Sequence, residues 1–149
     1  MKNYIEAMNL ISEICERLDN EKFEEFLELC STEFNYRIIV YSPEIKKDMI
    51  WMDQDYSGMK NLLTLVPQHL RRLGSLSRYI SIGKFEETKN CLKINSPFQI
   101  MHTDLNGITK LFAVGRYIDE IELRNQFLLK RRFVRLETRD LGIGSHIPL

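Results

Sequence analysis

Two histidines and one aspartate have the spacing that most resembles a metal site in this sequence. His102 and Asp104 are two residues apart, which places both side chains on one face of a β-strand, and His146 follows much later. Two imidazoles and one carboxylate are the protein ligands of many non-haem iron centres. His146, however, is followed by only three residues, and the sequence has 3 histidines in all, so the choice of partners is small. We therefore interpret His102 as a strand residue beside a hairpin and predict no metal site in this chain.

No other motif for metal, nucleophile or phosphate chemistry is complete in the sequence. A zinc or Rieske centre needs closely paired cysteine or histidine ligands, and the 3 cysteines lie far apart without a CxxC, CxH or CxxH pair. The GxSxG motif of serine hydrolases is absent, and no glycine-rich loop precedes a predicted helix. We therefore expect no cofactor in this chain.

Five residues could form an acid–base site if a curved sheet brought them together: Tyr36, Tyr41, His102, Asp104 and Tyr117. Burial would shift the pKa values of such side chains and suit them to proton transfer. Sequence alone does not place them together. An enzyme acting by proton transfer, or a module that binds a small ligand, therefore stays open as an alternative.

The densest charge cluster is a basic run near the end of the sequence. Because neighbouring strand residues point to opposite faces, Arg131, Arg135 and Arg139 share one side of the predicted strand, and Lys130 and Arg132 share the other. The run is therefore not a single phosphate-binding stripe, and we expect a solvated or interface face. The expected carboxylate partners are Glu120, Glu122 and Glu137.

The composition argues against nucleic acid and membranes as partners and indicates the cellular compartment. The 149 residues include 21 Lys plus Arg and 21 Asp plus Glu, so the chain lacks the basic excess that favours nucleic acid or anionic lipid. No apolar stretch is long enough to cross a membrane. An odd number of widely spaced cysteines indicates a reducing compartment, and we expect the cytoplasm.

Helical periodicity is confined to the first half of the sequence. Apolar residues recur at steps of three and four over residues 4–18 and again over 23–30, where Asp19 and Asn20 could cap the second helix. A third helix is predicted over 59–73, with a kink at Pro67. The caps expected at its start are Asp55 or Ser57, and Gly74 is expected to follow its end.

The remaining segments have the composition and alternation of strands. A first strand is predicted over 33–41, whereas 42–55 is predicted to be a loop or a short irregular strand. Long strands follow over 76–87, 92–103, 108–122 and 127–138, with a hairpin turn at Asp104, Asn106 and Gly107. Strands of this length imply a twisted, bulged antiparallel sheet. The order of elements predicts a single α+β domain over 1–149, with the helices packed on one face of the sheet.

Several segments carry a family resemblance. Residues 17–30 (RLDNEKFEEFLELC) with 34–36 (FNY), 114–119 (VGRYID) and 129–139 (LKRRFVRLETR) resemble the small, beta subunits of bacterial aromatic-ring-hydroxylating oxygenases. Within that family, residues 41–49 (YSPEIKKDM) and 142–149 (GIGSHIPL) resemble in particular the small hydroxylase subunits of methanesulfonate monooxygenases.

The resemblance implies both a fold and a role. The fold would be an α+β cone of the nuclear transport factor 2 (NTF2) type. The large alpha subunit of such an oxygenase holds the Rieske cluster and the mononuclear iron, and the small subunit forms a trimeric platform whose role is chiefly structural. On this basis we predict five interface residues: Arg131, Arg135, Arg139, His146 and Leu149. The same fold also houses free-standing isomerases and dehydratases, so fold alone does not decide function.

Overall fold

The fold is built from three helices and seven strands within the described residues, which are 1–66, 73–81, 83–142 and 148–149 of a computed structural model. The helices are α1 Lys2–Asp19, α2 Phe23–Glu28 and α3 Tyr56–Leu65. The strands are β1 Cys30–Ser42, β2 Lys47–Asp55, β3 Ser75–Ile80, β4 Lys84–Glu87, β5 Cys91–Thr103, β6 Thr109–Glu122 and β7 Leu128–Leu136.

The first helix packs along the inside of the sheet. Its apolar stripe is buried as the periodicity predicts, and the stripe consists of Ala7, Leu10, Ile11, Ile14, Cys15 and Leu18. The predicted capping of α2 is wrong, because Lys22 precedes that helix without a side-chain cap. Asp19 instead accepts hydrogen bonds from Arg78, and the Asn20 amide donates to the carbonyl of Glu16.

The sheet has the order β2-β1-β7-β6-β5-β3, and β4 also pairs with β5. All pairings are antiparallel except that of β1 with β7, which is parallel. The sheet is therefore mixed rather than wholly antiparallel as predicted. Residue alternation shows which face of a strand is buried but not which strand lies beside it, and no hairpin fixes the relative direction of β1 and β7.

The long strands are bulged, as their length predicts. Register shifts interrupt β1 next to β2, β5 next to β6, and β6 next to β7. The shift opposite Ile100 and Met101 leaves Leu111 exposed, whereas Phe112 and Ala113 are both buried. A bulge adds one residue to one strand, which reverses the face of every residue beyond it.

Three boundaries differ from the prediction. The segment predicted as a loop or a short irregular strand contains β2, an edge strand with both faces largely exposed, and the strand predicted over 76–87 is divided into β3 and β4. Helix α3 begins earlier, and Asp55 caps it as predicted, by accepting the N–H of Gly58 at 2.8 Å. The predicted kink at Pro67 lies outside the described residues.

The core lies between the helices and the concave face of the sheet. It is continuous from α1 across β1, β5, β6 and β7, and Leu149 at the end of the chain belongs to it. The hairpin between β5 and β6 turns at Gly107, whose φ of +81° is of the kind that glycine adopts without strain. None of the helices in the described part is long and apolar enough to span a bilayer.

Candidate functional site

A buried ion pair occupies the interior of the cone. Arg132 on β7 and Asp119 on β6 lie opposite each other, and Arg132 donates from Nε and Nη2 to the two carboxylate oxygens, each at 2.8 Å. Their side chains are 1% and 0% exposed. Burial lowers the pKa of the Arg132 guanidinium, but the adjacent Asp119 outweighs burial and holds that pKa above its ordinary value. The guanidinium is therefore charged inside the core.

Arg132 corrects the prediction that the basic run forms a solvated or interface face. The register of β6 against β7 shifts between Glu120 and Ile121, so that no residue of β6 lies directly opposite Lys130. The side chains of Leu129 and Arg132 on either side of this bulge are both buried. Arg132 alternates with Val134 and Leu136, which are buried on the same face, so the sequence pattern missed it because a charged side chain is rarely expected in a core.

A second ion pair lies at the mouth of the cone. Arg78 on β3 donates from Nη1 to Asp19 at 2.6 Å, and its backbone N–H donates to the other carboxylate oxygen at 3.2 Å. Nη2 donates to the carbonyl of Pro148 at 2.7 Å. A cleft of about 140 Å³ opens here, between the end of α1 and the start of β3. Arg78 therefore connects helix, sheet and the end of the chain.

Two of the predicted acid–base tyrosines lie in the same interior. Tyr36 is fully buried, and its hydroxyl oxygen accepts the N–H of Leu149 at 2.9 Å. Tyr117 is also fully buried, stacks on Phe98 with 4.1 Å between the ring centroids, and has the Arg132 guanidinium carbon 4.0 Å above its ring. Burial raises the pKa of Tyr36 to about 12 and raises the pKa of Tyr117 as well, while Arg78 and Arg132 oppose the shift at Tyr117. Neither phenol is a base at neutral pH.

Four buried polar atoms have no hydrogen-bond partner within the described residues. They are Arg78 Nε, Arg132 Nη1, Tyr117 Oη and Ser96 Oγ. Buried donors are nearly always satisfied in folded proteins, and leaving one unpaired costs roughly 1–3 kcal/mol. The two arginines are those of the two ion pairs, and Tyr117 lies under the guanidinium of Arg132.

The other predicted acid–base residues are not part of this cluster. Tyr41 is 50% exposed near the end of β1. His102 Nε2 is 2.7 Å from the carbonyl oxygen of Leu73, and Asp104 accepts the N–H groups of Asn106 and Ile108 within the hairpin turn. The pair that resembles an iron site is thus engaged in local structure and does not fit a metal, and His146 lies outside the described residues. Across the part of the chain that the structure describes, no three metal-binding side chains cluster.

The outer face of the sheet carries the remaining arginines of the basic run. Arg131 pairs with Glu120 at 3.4 Å, which confirms one predicted partner. Arg135 pairs with Asp48 at 2.8 Å and Arg139 with Glu44 at 3.1 Å, on or near the edge strand β2. These side chains are about half exposed. Surface pairs of this kind contribute at most about 1 kcal/mol each and can exchange partners.

The face also includes an aromatic ring between two guanidinium groups. The Phe133 centroid lies 5.1 Å from the Arg37 guanidinium carbon and 5.3 Å from that of Arg131.

Two other sequence-predicted residues do not belong to this outer face. Glu122, an expected partner of the basic run, pairs with Arg124 outside the run, and Leu149 is fully buried in the core.

Comparison with known proteins gives a consistent set of relatives. The chain is 34% identical over 134 residues to the beta subunit of 2-aminobenzenesulfonate 2,3-dioxygenase from Alcaligenes sp., covering 89% of each. It is 33% identical over 143 residues to the beta subunit of the methanesulfonate monooxygenase hydroxylase from Methylosulfonomonas methylovora, covering 89% of this chain and 79% of the relative. No family model matches.

Solved structures share the fold at low sequence identity. The beta subunit of a dioxygenase from Novosphingobium aromaticivorans, assigned as aromatic-ring-hydroxylating, superposes with a TM-score of 0.82 at 14% identity, covering 94% of this chain and 92% of that one. A protein from the same organism that is assigned as a scytalone dehydratase superposes with a TM-score of 0.67 at 15% identity, covering 100% and 99%. These neighbours confirm the predicted NTF2-type cone.

Proposed function

We propose that this chain, which belongs to the beta subunits of the multicomponent ring-hydroxylating oxygenases and related monooxygenases, supports a catalytic large subunit and has no reaction centre of its own. The predicted family is confirmed by the two beta-subunit relatives, each more than 30% identical over most of this chain. In this proposal the Rieske cluster and the mononuclear iron belong to the large subunit, where they supply electron transfer and oxygen chemistry.

The observation that carries the structural role is the filled cone. A cone enzyme needs an open cavity with titratable groups that substrate can reach. Here Tyr36 and Tyr117 are fully buried, and Arg132 and Asp119 neutralise each other. The space that a substrate would use is occupied by side chains and by Leu149. This packing disfavours a free-standing isomerase or dehydratase.

The outer face supplies the contact surface in this proposal. Arg131, Arg135 and Arg139 are exposed there and held only by weak surface pairs, so a partner's carboxylates can replace the present ones at little cost. We propose that these arginines contact the large subunit and that three copies of this chain form its platform. Leu149 is buried and is not proposed as a contact. The three free cysteines fit the cytoplasm as the proposed compartment.

Co-expression with the large subunit of a Rieske-type oxygenase, sought among the neighbouring genes, tests the proposal. The two chains should copurify, and native mass measurement should give equal numbers of each in a three-fold complex. Reversing three charges together, Arg131→Glu, Arg135→Glu and Arg139→Glu, should reduce copurification by on the order of tenfold or more, because like charges across an interface repel.

The matched control reverses three exposed lysines elsewhere, Lys84→Glu, Lys89→Glu and Lys110→Glu. It should leave copurification unchanged. If no adjacent large subunit binds this chain, or if both triple variants reduce binding equally, the proposed contact surface is wrong.

A further inference from the structure

Two adjoining depressions cross the outer face of the sheet. One, of about 410 Å³, is lined by Tyr41 near the end of β1 and by Arg135 on β7, and the other, of about 340 Å³, extends to Tyr79 on β3. Arg116 on β6 and Glu137 after β7 line both depressions, so the two form one trough. The two tyrosines are 50% and 56% exposed. The trough therefore reaches across the sheet from β1 to β3 and has an accessible aromatic ring in each half.

Arginines dominate the charged lining of the trough. Arg116, Arg135 and Arg139 contribute three positive charges, and Glu137 contributes one negative charge. Arg116 and Arg135 lie directly opposite each other on β6 and β7. Like charges in opposite positions repel and destabilise a sheet, so an acidic group bound beside both would relieve that repulsion.

Arg116 differs from the other two arginines in its partner. Its Nε donates to the side-chain amide oxygen of Asn95 at 2.7 Å, and among the described residues it forms no ion pair. The other two arginines pair with carboxylates of this chain, at 2.8 and 3.1 Å. Because Asn95 is uncharged, no direct contact within the described residues compensates the positive charge of Arg116.

The three arginines retain hydrogen-bond donors for a ligand. A guanidinium group has five N–H donors, and the hydrogen bonds of Arg116, Arg135 and Arg139 described above use one nitrogen of each. A carboxylate matches the planar donor pair of a guanidinium group, and arginine and tyrosine are enriched among the side chains that contribute most to protein interfaces. The trough fits an extended run of residues, whereas a single small anion would occupy only one part of it.

We propose, on the basis of the large-subunit role proposed above, that this trough binds an extended acidic segment of the large subunit. A carboxylate of that segment contacts Arg116, which lies outside the basic run of residues 130–139. The rings of Tyr41 and Tyr79 pack against residues on either side of that carboxylate. Because Arg116 has no ion pair among the described residues to exchange, its contact gains more than the contacts of Arg135 and Arg139.

Carbodiimide crosslinking of the co-expressed complex tests the contact directly. Arg116→Lys keeps the positive charge and supplies a primary amine, and carbodiimide joins an amine only to a carboxylate in contact with it. Mass spectrometry should then identify an amide bond between the introduced lysine and an Asp or Glu of the large subunit. Arg124→Lys is the matched control, because Arg124 is 74% exposed, lines neither depression and should link only within this chain.

Charge reversal measures the strength of the contact. Arg116→Glu should reduce copurification of the large subunit by about tenfold, because like charges across an interface repel, whereas Arg124→Glu should leave it unchanged. Arg116 is exposed, so the melting temperature of the chain alone should stay the same in Arg116→Glu.

The outcomes distinguish the trough from the large-subunit role as a whole. If the unaltered chain copurifies with the large subunit, but Arg116→Glu does so equally and the introduced lysine forms no crosslink to it, the trough is not the contact and only the general role stands. A crosslink from that lysine to a second copy of this chain overturns the acidic segment as the occupant. A melting temperature raised by millimolar inorganic phosphate in the unaltered chain but not in Arg116→Glu identifies a small anion as the occupant and overturns it too. A chain that binds no large subunit overturns both proposals.

Discussion

At the scale of single residues, the charge pair of Arg132 and Asp119 dominates the interior. Two ions in a core are costly to desolvate, and their attraction offsets that cost only when both are present. Asp119→Asn leaves the Arg132 charge buried without a counter-ion, and we expect it to lower the free energy of unfolding by about 3–5 kcal/mol. Urea denaturation measures the loss.

The double variant Asp119→Leu with Arg132→Met should recover most of that stability, because it removes both charges together. Glu120→Gln, which removes the partner of exposed Arg131, should cost less than about 1 kcal/mol. Equal losses in the free energy of unfolding from Asp119→Asn and Glu120→Gln would show that the buried pair contributes no more to stability than the surface pair.

The raised pKa values of the cysteines lead to a second prediction at this scale, which concerns the rate of alkylation. Burial raises the pKa of Cys91 to about 11, with Glu120 adding to the shift, and burial raises the pKa values of Cys15 and Cys30 as well. Because the thiolate is the reactive form, Cys91 should alkylate about a hundredfold more slowly at pH 8 than an unperturbed cysteine. Its rate should rise about tenfold per pH unit until pH 11.

Mass spectrometry after timed alkylation measures that rate, and urea-unfolded protein, in which all three cysteines are accessible, is the control. Rapid labelling of Cys91 in the native protein at pH 8 would contradict the raised pKa.

At the scale of elements, two glycines predict opposite responses to the same substitution. A Cβ on Gly115 in β6 would collide with the backbone carbonyl of Arg135 on β7 and come within 3.1 Å of the Leu136 Cα. Backbone atoms of a paired strand cannot move aside cheaply, so Gly115→Ala should lower the free energy of unfolding by about 1–3 kcal/mol.

Gly58 lies in the first turn of α3, where a Cβ would meet only the flexible end of Gln54 and the side chain of Asp55. Alanine favours a helix over glycine by about 0.8–1.0 kcal/mol, so Gly58→Ala should be neutral or stabilising. Urea denaturation of the two variants should therefore give shifts of opposite sign. Shifts of the same sign would refute the assigned surroundings of one glycine.

The elements also show what the sequence could and could not predict. Helix α1 and the long strands β5, β6 and β7 have clear periodicity, and they were found where that periodicity predicted them. Strand β2 was not, because an edge strand exposed on both faces has no alternation to detect. The interior ion pairs were missed for a related reason. Arg132 lies in a run of charged residues that is expected to be exposed, and the partners Asp19 and Arg78 are brought together only by tertiary packing.

At the scale of the whole molecule, the predicted family and cone are confirmed, whereas the acid–base residues were only partly brought together. Tyr36 and Tyr117 meet inside the cone because both lie on inward faces of β1 and β6. His102 and Asp104 lie near the β5–β6 hairpin, where Asp104 accepts N–H groups of the turn and the His102 ring contacts the carbonyl oxygen of Leu73. Which inward residues share one depth of a cone depends on register and bulges, which residue types do not encode.

The parallel pairing of β1 with β7 has a consequence for synthesis. Ile38 on β1 lies beside Val134 on β7 in the sheet, so β1, which is synthesised early, can pair with β7 only near the end of translation. Until β7 leaves the ribosome, the inner edge of β1 has no neighbour, and the nascent chain exposes an apolar surface that chaperones recognise. Contacts between residues so distant in sequence also slow folding, and we expect refolding in stopped-flow experiments to take milliseconds to seconds.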